Sequence, residues 1–136
     1  MNARLPRLPS TSTWGLALLV QVVILLGGIA LMGAEFAEVS FLHAPVINLL
    51  LWTGFITLAG LAASAASGRF HRRVGYLLMA LAIAWFPISV LIFGNARFSG
   101  TSALLWGIWW RATGLLILTS LVSQAISATS ALLARR

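Results

Sequence analysis

Few side chains in this sequence can do chemistry, and most of them sit beside or within long apolar runs. Arg111 lies inside an apolar stretch, where a guanidinium acts either as an interfacial anchor or as a membrane charge that needs a partner. The acids are Glu35 and Glu38; a charge pair from Arg111 to one of them would tie distant parts of the chain together. Ser120, Ser123, Gln124 and Ser127 recur at three- and four-residue spacing, which places them on one face of a helix. Such a face serves as interhelical glue or as the wall of a hydrophilic path, and the glue reading is favoured because no ionisable group joins it. Gln21 is an isolated amide in the first apolar run, at a depth that allows it to meet Gln124. His43 with Glu35 and Glu38 offers imidazole and carboxylate donors, but these ligands are scattered and an ordinary loop accounts for them better. His43 and His71 fall at opposite ends of apolar runs, so one haem cannot take both as axial ligands in a single chain. No metal or cofactor is expected.

The elements that carry these residues follow from composition. The chain has 136 residues, 60% hydrophobic and 8% charged, with a mean hydropathy of +1.00. Soluble domains carry about 25% charged residues, so lipid must solvate most of this surface. The formal charge of +7 does not mark a nucleic-acid binder, because the basic residues, all arginines, sit at the ends of apolar runs rather than in a patch. With no cysteine there is no disulfide, thiolate nucleophile or thiolate metal site.

Four membrane spans are expected, over residues 14–33, 45–67, 74–94 and 103–133, forming one all-α domain: an antiparallel four-helix transmembrane bundle. The first run is longer than a cleavable signal core of about 7–15 residues, so it reads as an uncleaved helix. Residues 34–44 read as a short interfacial helix or ordered loop, and Pro45 fits the first turn of the second helix. Gly60, Ser64 and Gly68 form one small-residue ladder, and Ala62 and Ala66 a parallel one, which permit close backbone approach either within the bundle or to a partner subunit. Arg69, His71, Arg72 and Arg73 read as a basic turn in contact with anionic lipid. Pro87 cannot donate to the Ile83 carbonyl and is expected to kink the third helix. Residues 95–101, with Arg97, form a polar turn.

The last stretch is too long for one span: residues 102–136 would reach about 50 Å as a helix, against a bilayer core of about 30 Å. That mismatch favours a span beginning near Ala112, with Arg111 at the interface, Trp106, Trp109 and Trp110 as an aromatic belt, and residues 102–110 lying along or above the surface. A span beginning at Ser102 would instead bury Arg111. Arg4, Arg7, Arg69, Arg72, Arg73, Arg135 and Arg136 gather on one side of this layout, against Arg97 and both acids on the other, where Arg111 counts only if it is interfacial. Positive charge accumulates in the cytoplasm, so both termini are expected there, in a membrane such as the bacterial cytoplasmic membrane.

No nucleophile–base set, nucleotide fingerprint or pair of intramembrane acids is present. A small homodimeric drug exporter needs a glutamate inside its first helix, and this first helix has none. The expected function is therefore a non-catalytic structural or accessory subunit of a larger membrane complex, of which respiratory and photosynthetic assemblies are examples. The alternative is a homo-oligomeric transporter or channel whose path follows the Ser/Gln face of the fourth helix. Expected partners are lipids, anionic at the cytoplasmic face, and another membrane protein or a second copy of the chain.

Overall fold

A computed structural model describes residues 8–66, 68–99 and 102–133, with the side chains of residues 124, 127 and 131 outside that set. Gln124 and Ser127, as side chains, and Arg4, Arg7, Arg135 and Arg136 therefore lie outside the described residues. The element order is α1 (Thr11–Met32), a 3-10 turn (Gly33–Glu38), β1 (Ser40–Phe41), β2 (Ala44–Pro45), α2 (Val46–Ala65), α3 (Arg69–Phe93) and α4 (Ala103–Leu133). All four α-helices are long and apolar enough to cross a membrane.

Local chemistry sets the boundaries. Ser10 Oγ accepts from the Thr13 N–H at 3.3 Å and starts α1. Gly33, at φ 58°, ends it in a conformation that side chains resist. The segment expected to be an interfacial helix or a loop is both: the 3-10 turn carries exposed Glu35 and Glu38, and a two-strand hairpin pairs Phe41 with Ala44. Pro45 stands one position earlier than expected. Its ψ of 133° is extended, so it pairs with Ser40 and caps α2 rather than entering the first turn.

The basic segment is corrected too. Arg69–Arg73 is not a turn but the first turn of α3, because Gly68 supplies the extended cap and its carbonyl accepts from the Arg72 N–H at 3.0 Å. The connection from α2 to α3 shrinks to a few residues.

Helix α2 is the centre of the arrangement, packing along α1, α3 and α4. Its buried residues accordingly spread around the helix: Phe55, Thr57, Ala59, Gly60, Ala62 and Ala63. Helix α1 has no buried residue at all. α2 and α3 cross closely at Gly75, where a Cβ would stand 2.5 Å from Ala63 Cα. This differs from the ladders expected on α2. Gly60 serves instead as a notch under the Trp14 ring of α1, and Gly75 with Ala63 takes the close crossing.

Helix α3 turns Gly75, Leu78, Ala82, Trp85, Ser89 and Phe93 inward at three- and four-residue spacing. It runs through Pro87 as one helix, and a neighbour supplies what the proline removes. The Trp52 indole N–H on α2 donates to the Ala82 and Ile83 carbonyls, each at 3.1 Å, and Ile83 is the carbonyl that Pro87 leaves without its helical donor. The Trp52 ring stacks on Phe86 at 4.9 Å, which holds the indole in place.

Trp52→Phe keeps the stacking and removes the donor. It should cost about 1 kcal/mol, the upper part of the range for polar contacts between membrane helices. The loss should shrink in a Pro87→Ala background, where residue 87 regains its own N–H for Ile83. Unfolding in mixed micelles measures both, and equal losses in the two backgrounds would exclude the coupling.

Candidate functional site

The best-formed site lies where α2, α3 and α4 meet the loop after α3. Gly94, left-handed at φ 69°, ends α3 and returns its N–H to the Val90 carbonyl at 2.8 Å. Asn95 then organises the loop. Its Oδ1 accepts from the Arg97 and Ser99 N–H groups at 3.0 and 3.2 Å, while its Nδ2 donates to the Phe93 and Ser99 carbonyls at 3.0 and 2.6 Å. These bonds hold Phe98 at φ 55°, which costs an L-residue roughly 1–2 kcal/mol. The ring is thereby driven into the core while Arg97 stays exposed. Asn48, near the start of α2, donates to the Ala96 carbonyl at 2.9 Å and fastens the loop to that end of the molecule.

Helix α4 brings up the aromatic wall. Trp109 stacks on Trp85 at 5.9 Å, Trp106 meets Phe93 edge-on at 5.5 Å, and Trp110 meets Trp106 at 5.5 Å. Thr113 is buried and its Oγ1 accepts from Trp85 Nε1 at 3.0 Å. These residues enclose a cavity of about 170 Å³, with Arg97, Asn48 and Thr113 as its polar lining.

A second space adjoins the first. A groove of about 330 Å³ runs between α1 and α2, lined by Leu18, Leu25, Leu58 and other apolar side chains, with Gln21 in its wall. Leu51 and Phe55 of α2 line both spaces. Gln21 Nε2 donates to Thr57 Oγ1 at 3.0 Å, and Thr57 passes its own proton to the Thr53 carbonyl at 2.8 Å. That chain fixes the amide's orientation and leaves Gln21 Oε1 buried without a donor, opposite Gly54.

The residues singled out in the sequence are divided by this geometry. Gln21 pairs with Thr57 on its chain neighbour α2, along which α1 packs, and the Gln124 side chain expected to meet it lies outside the described residues. Ser120 and Ser123 are buried on the inner face of α4, and Ser120 Oγ donates to the Leu116 carbonyl of its own helix at 2.8 Å. Arg111 is exposed, about 200° around the helix from buried Thr113, and does not line the cavity. Glu35 and Glu38 are also exposed, and no ion pair links either of them to Arg111. α4 is one helix from Ala103, and its Trp106 and Trp109 rings pack against Phe93 and Trp85 of α3. Pro87 is exposed on α3, apart from the cavity. Exposed His43 sits at the hairpin tip and His71 in the first turn of α3. Among the described residues, no three His, Asp or Glu side chains gather as a metal site.

Sequence reasoning did not single out Asn48, Thr57, Thr113, Trp85 or Arg97 as site residues. Thr113 carried a signal, since it extends the Ser120 face by seven residues. Arg97 had none beyond its place in a polar turn. Comparison with protein-family models, curated proteins and solved structures finds no match to this chain.

Because Arg111 and Glu38 do not touch, reversing each charge should act independently. Arg111→Glu and Glu38→Arg should each change stability by about 0.5 kcal/mol or less, with the double variant equal to their sum. Recovery of stability in the double variant, measured by thermal unfolding in detergent, would reveal an ion pair that this geometry does not contain.

Proposed function

We propose that the chain is a non-catalytic membrane subunit that attaches to a larger membrane complex. One observation carries this reading: α1 is a 22-residue helix with no buried residue. Its packing along α2 leaves most of its apolar surface for lipid or another protein. Polar groups in the spans support the same reading, since they tie helices together rather than line a path. Trp52 serves the α3 backbone, Trp85 is bonded to Thr113, and Gln21 is bonded to Thr57. A homo-oligomeric path along the Ser/Gln face of α4 is less well supported, because Ser120 commits its proton within its own helix.

In this proposal the helices cross antiparallel, with both termini on the cytoplasmic side of a bacterial cytoplasmic membrane. The arginine asymmetry supports the orientation. The pairing of Trp14 with Gly60 and Gln21 with Thr57, and of Gly75 with Ala63 and Phe55 with Trp85, supports the alternation.

Purification from native membranes in mild detergent, followed by mass determination, should yield this chain with a co-purifying membrane subunit. A monomer without companions would sink the assignment. The absence of cysteine makes orientation simple to read. Cysteines placed at Ser40 and Ser99 should react with an impermeant maleimide in intact cells, and one at His71 should react after lysis. The reverse pattern would invert the topology.

A further inference from the structure

We propose that the cavity at Arg97 and the neighbouring α1–α2 groove together hold one molecule of anionic phospholipid, with its phosphate at Arg97 and an acyl chain in the groove. This goes beyond attachment to a complex and does not rest on it. The two adjoining spaces differ in chemistry in the way the two ends of an amphiphile do. The smaller, about 170 Å³, carries the cation and is walled by tryptophans, which favour the headgroup level of a membrane. The larger, about 330 Å³, is lined almost wholly by hydrocarbon, and Leu51 and Phe55 line both.

Charge selects the head. Arg97 is exposed at the cavity, and no carboxylate forms an ion pair with it among the described residues. Glu35 and Glu38, the acids of the chain, do not line the cavity. A guanidinium presents a planar fork of donors that matches phosphate oxygens. Asn95 holds the Arg97 backbone and Asn48 holds the loop, so the segment bearing the cation is ordered before any ligand arrives. Position selects the tail. The groove between α1 and α2 shares Leu51 and Phe55 with the cavity, and it lies beside apolar spans, where hydrocarbon chains are the available solute.

The test uses the full chain in phosphatidylcholine vesicles containing a minority of phosphatidylglycerol, with one lipid at a time brominated on its acyl chains. Intrinsic fluorescence reports on the tryptophans, of which Trp85, Trp106, Trp109 and Trp110 wall the cavity. Brominated phosphatidylglycerol should quench with a preference of about fivefold over brominated phosphatidylcholine, the factor that one arginine near an anionic lipid supplies. Arg97→Gln should remove the preference, Arg97→Lys should keep it, and Arg111→Gln should leave it unchanged. Equal quenching by both lipids in the unmodified chain, or a preference that survives Arg97→Gln, overturns the proposal. So does a preference lost equally in Arg111→Gln, which would mean general surface attraction. Displacement by inorganic phosphate would assign the site to a soluble anion, and quenching that falls as the protein dimerises would assign it to a second copy; either result also overturns it.

Discussion

Trp85 joins three helices and a loop. From α3, its ring meets Phe55 of α2 edge-on at 5.0 Å and Phe98 of the loop edge-on at 5.6 Å, and it stacks on Trp109 of α4 at 5.9 Å. Its indole N–H is bonded to Thr113, which ties α4 in a second way. In lipid, apolar contact alone does not drive helices together, because acyl chains are as apolar as leucine. Shape, ring geometry and hydrogen bonds must then decide which helices associate. Aromatic pairs contribute about 0.5–1.5 kcal/mol each beyond area burial, and Trp85 makes three of them.

The same residue explains why the loop after α3 is ordered. Phe98 reaches Trp85, Phe86 and Phe93 from a backbone conformation that is unfavourable for a non-glycine residue. Asn95 fixes that conformation from one side and the ring contacts reward it from the other. Arg97, between them in sequence, is therefore presented outward by a rigid segment. A core constraint thus sets the position of the exposed cation.

How much of this was legible in the sequence differs by element. The four helices follow from apolar run length, and the inner face of α3 follows from periodicity, since Leu78, Ala82, Trp85, Ser89 and Phe93 recur at helical spacing. Ser120 and Ser123 were read onto an inward face for the same reason. Pairing between helices was not legible, because periodicity says which face turns inward and not what it meets. Gln21 and Gln124 match in depth, yet Thr57 is also within reach and sits on the helix that follows in the chain. Small residues were similarly ambiguous: α2 offers several ladders, and it takes the opposing Gly75 to show that Ala63 lies at a close crossing with α3. The arginines after Gly68 were read as a turn because charge suggests exposure, although exposure is compatible with a helical first turn.

The cleft was illegible for a related reason, and its origin is physical. α1 meets α2 at two specific points, the Trp14 ring over Gly60 and the Gln21 amide on Thr57, while Phe36 of the following 3-10 turn folds back against Gly28 of α1. Each point sets a large or polar group against a small or complementary one. Between Trp14 and Phe36 the opposing side chains, Leu18 and Leu25 with Leu51 and Leu58, do not fill the space, and the groove remains. In water such a gap would cost the fold by leaving apolar surface wet. In a membrane hydrocarbon fills it, so loose packing of α1 carries little penalty, and the selective pressure toward a tight α1–α2 seam is removed. The groove is therefore compatible with the stability of the molecule only while lipid is its solvent, which links its existence to the same composition that fixed the four spans.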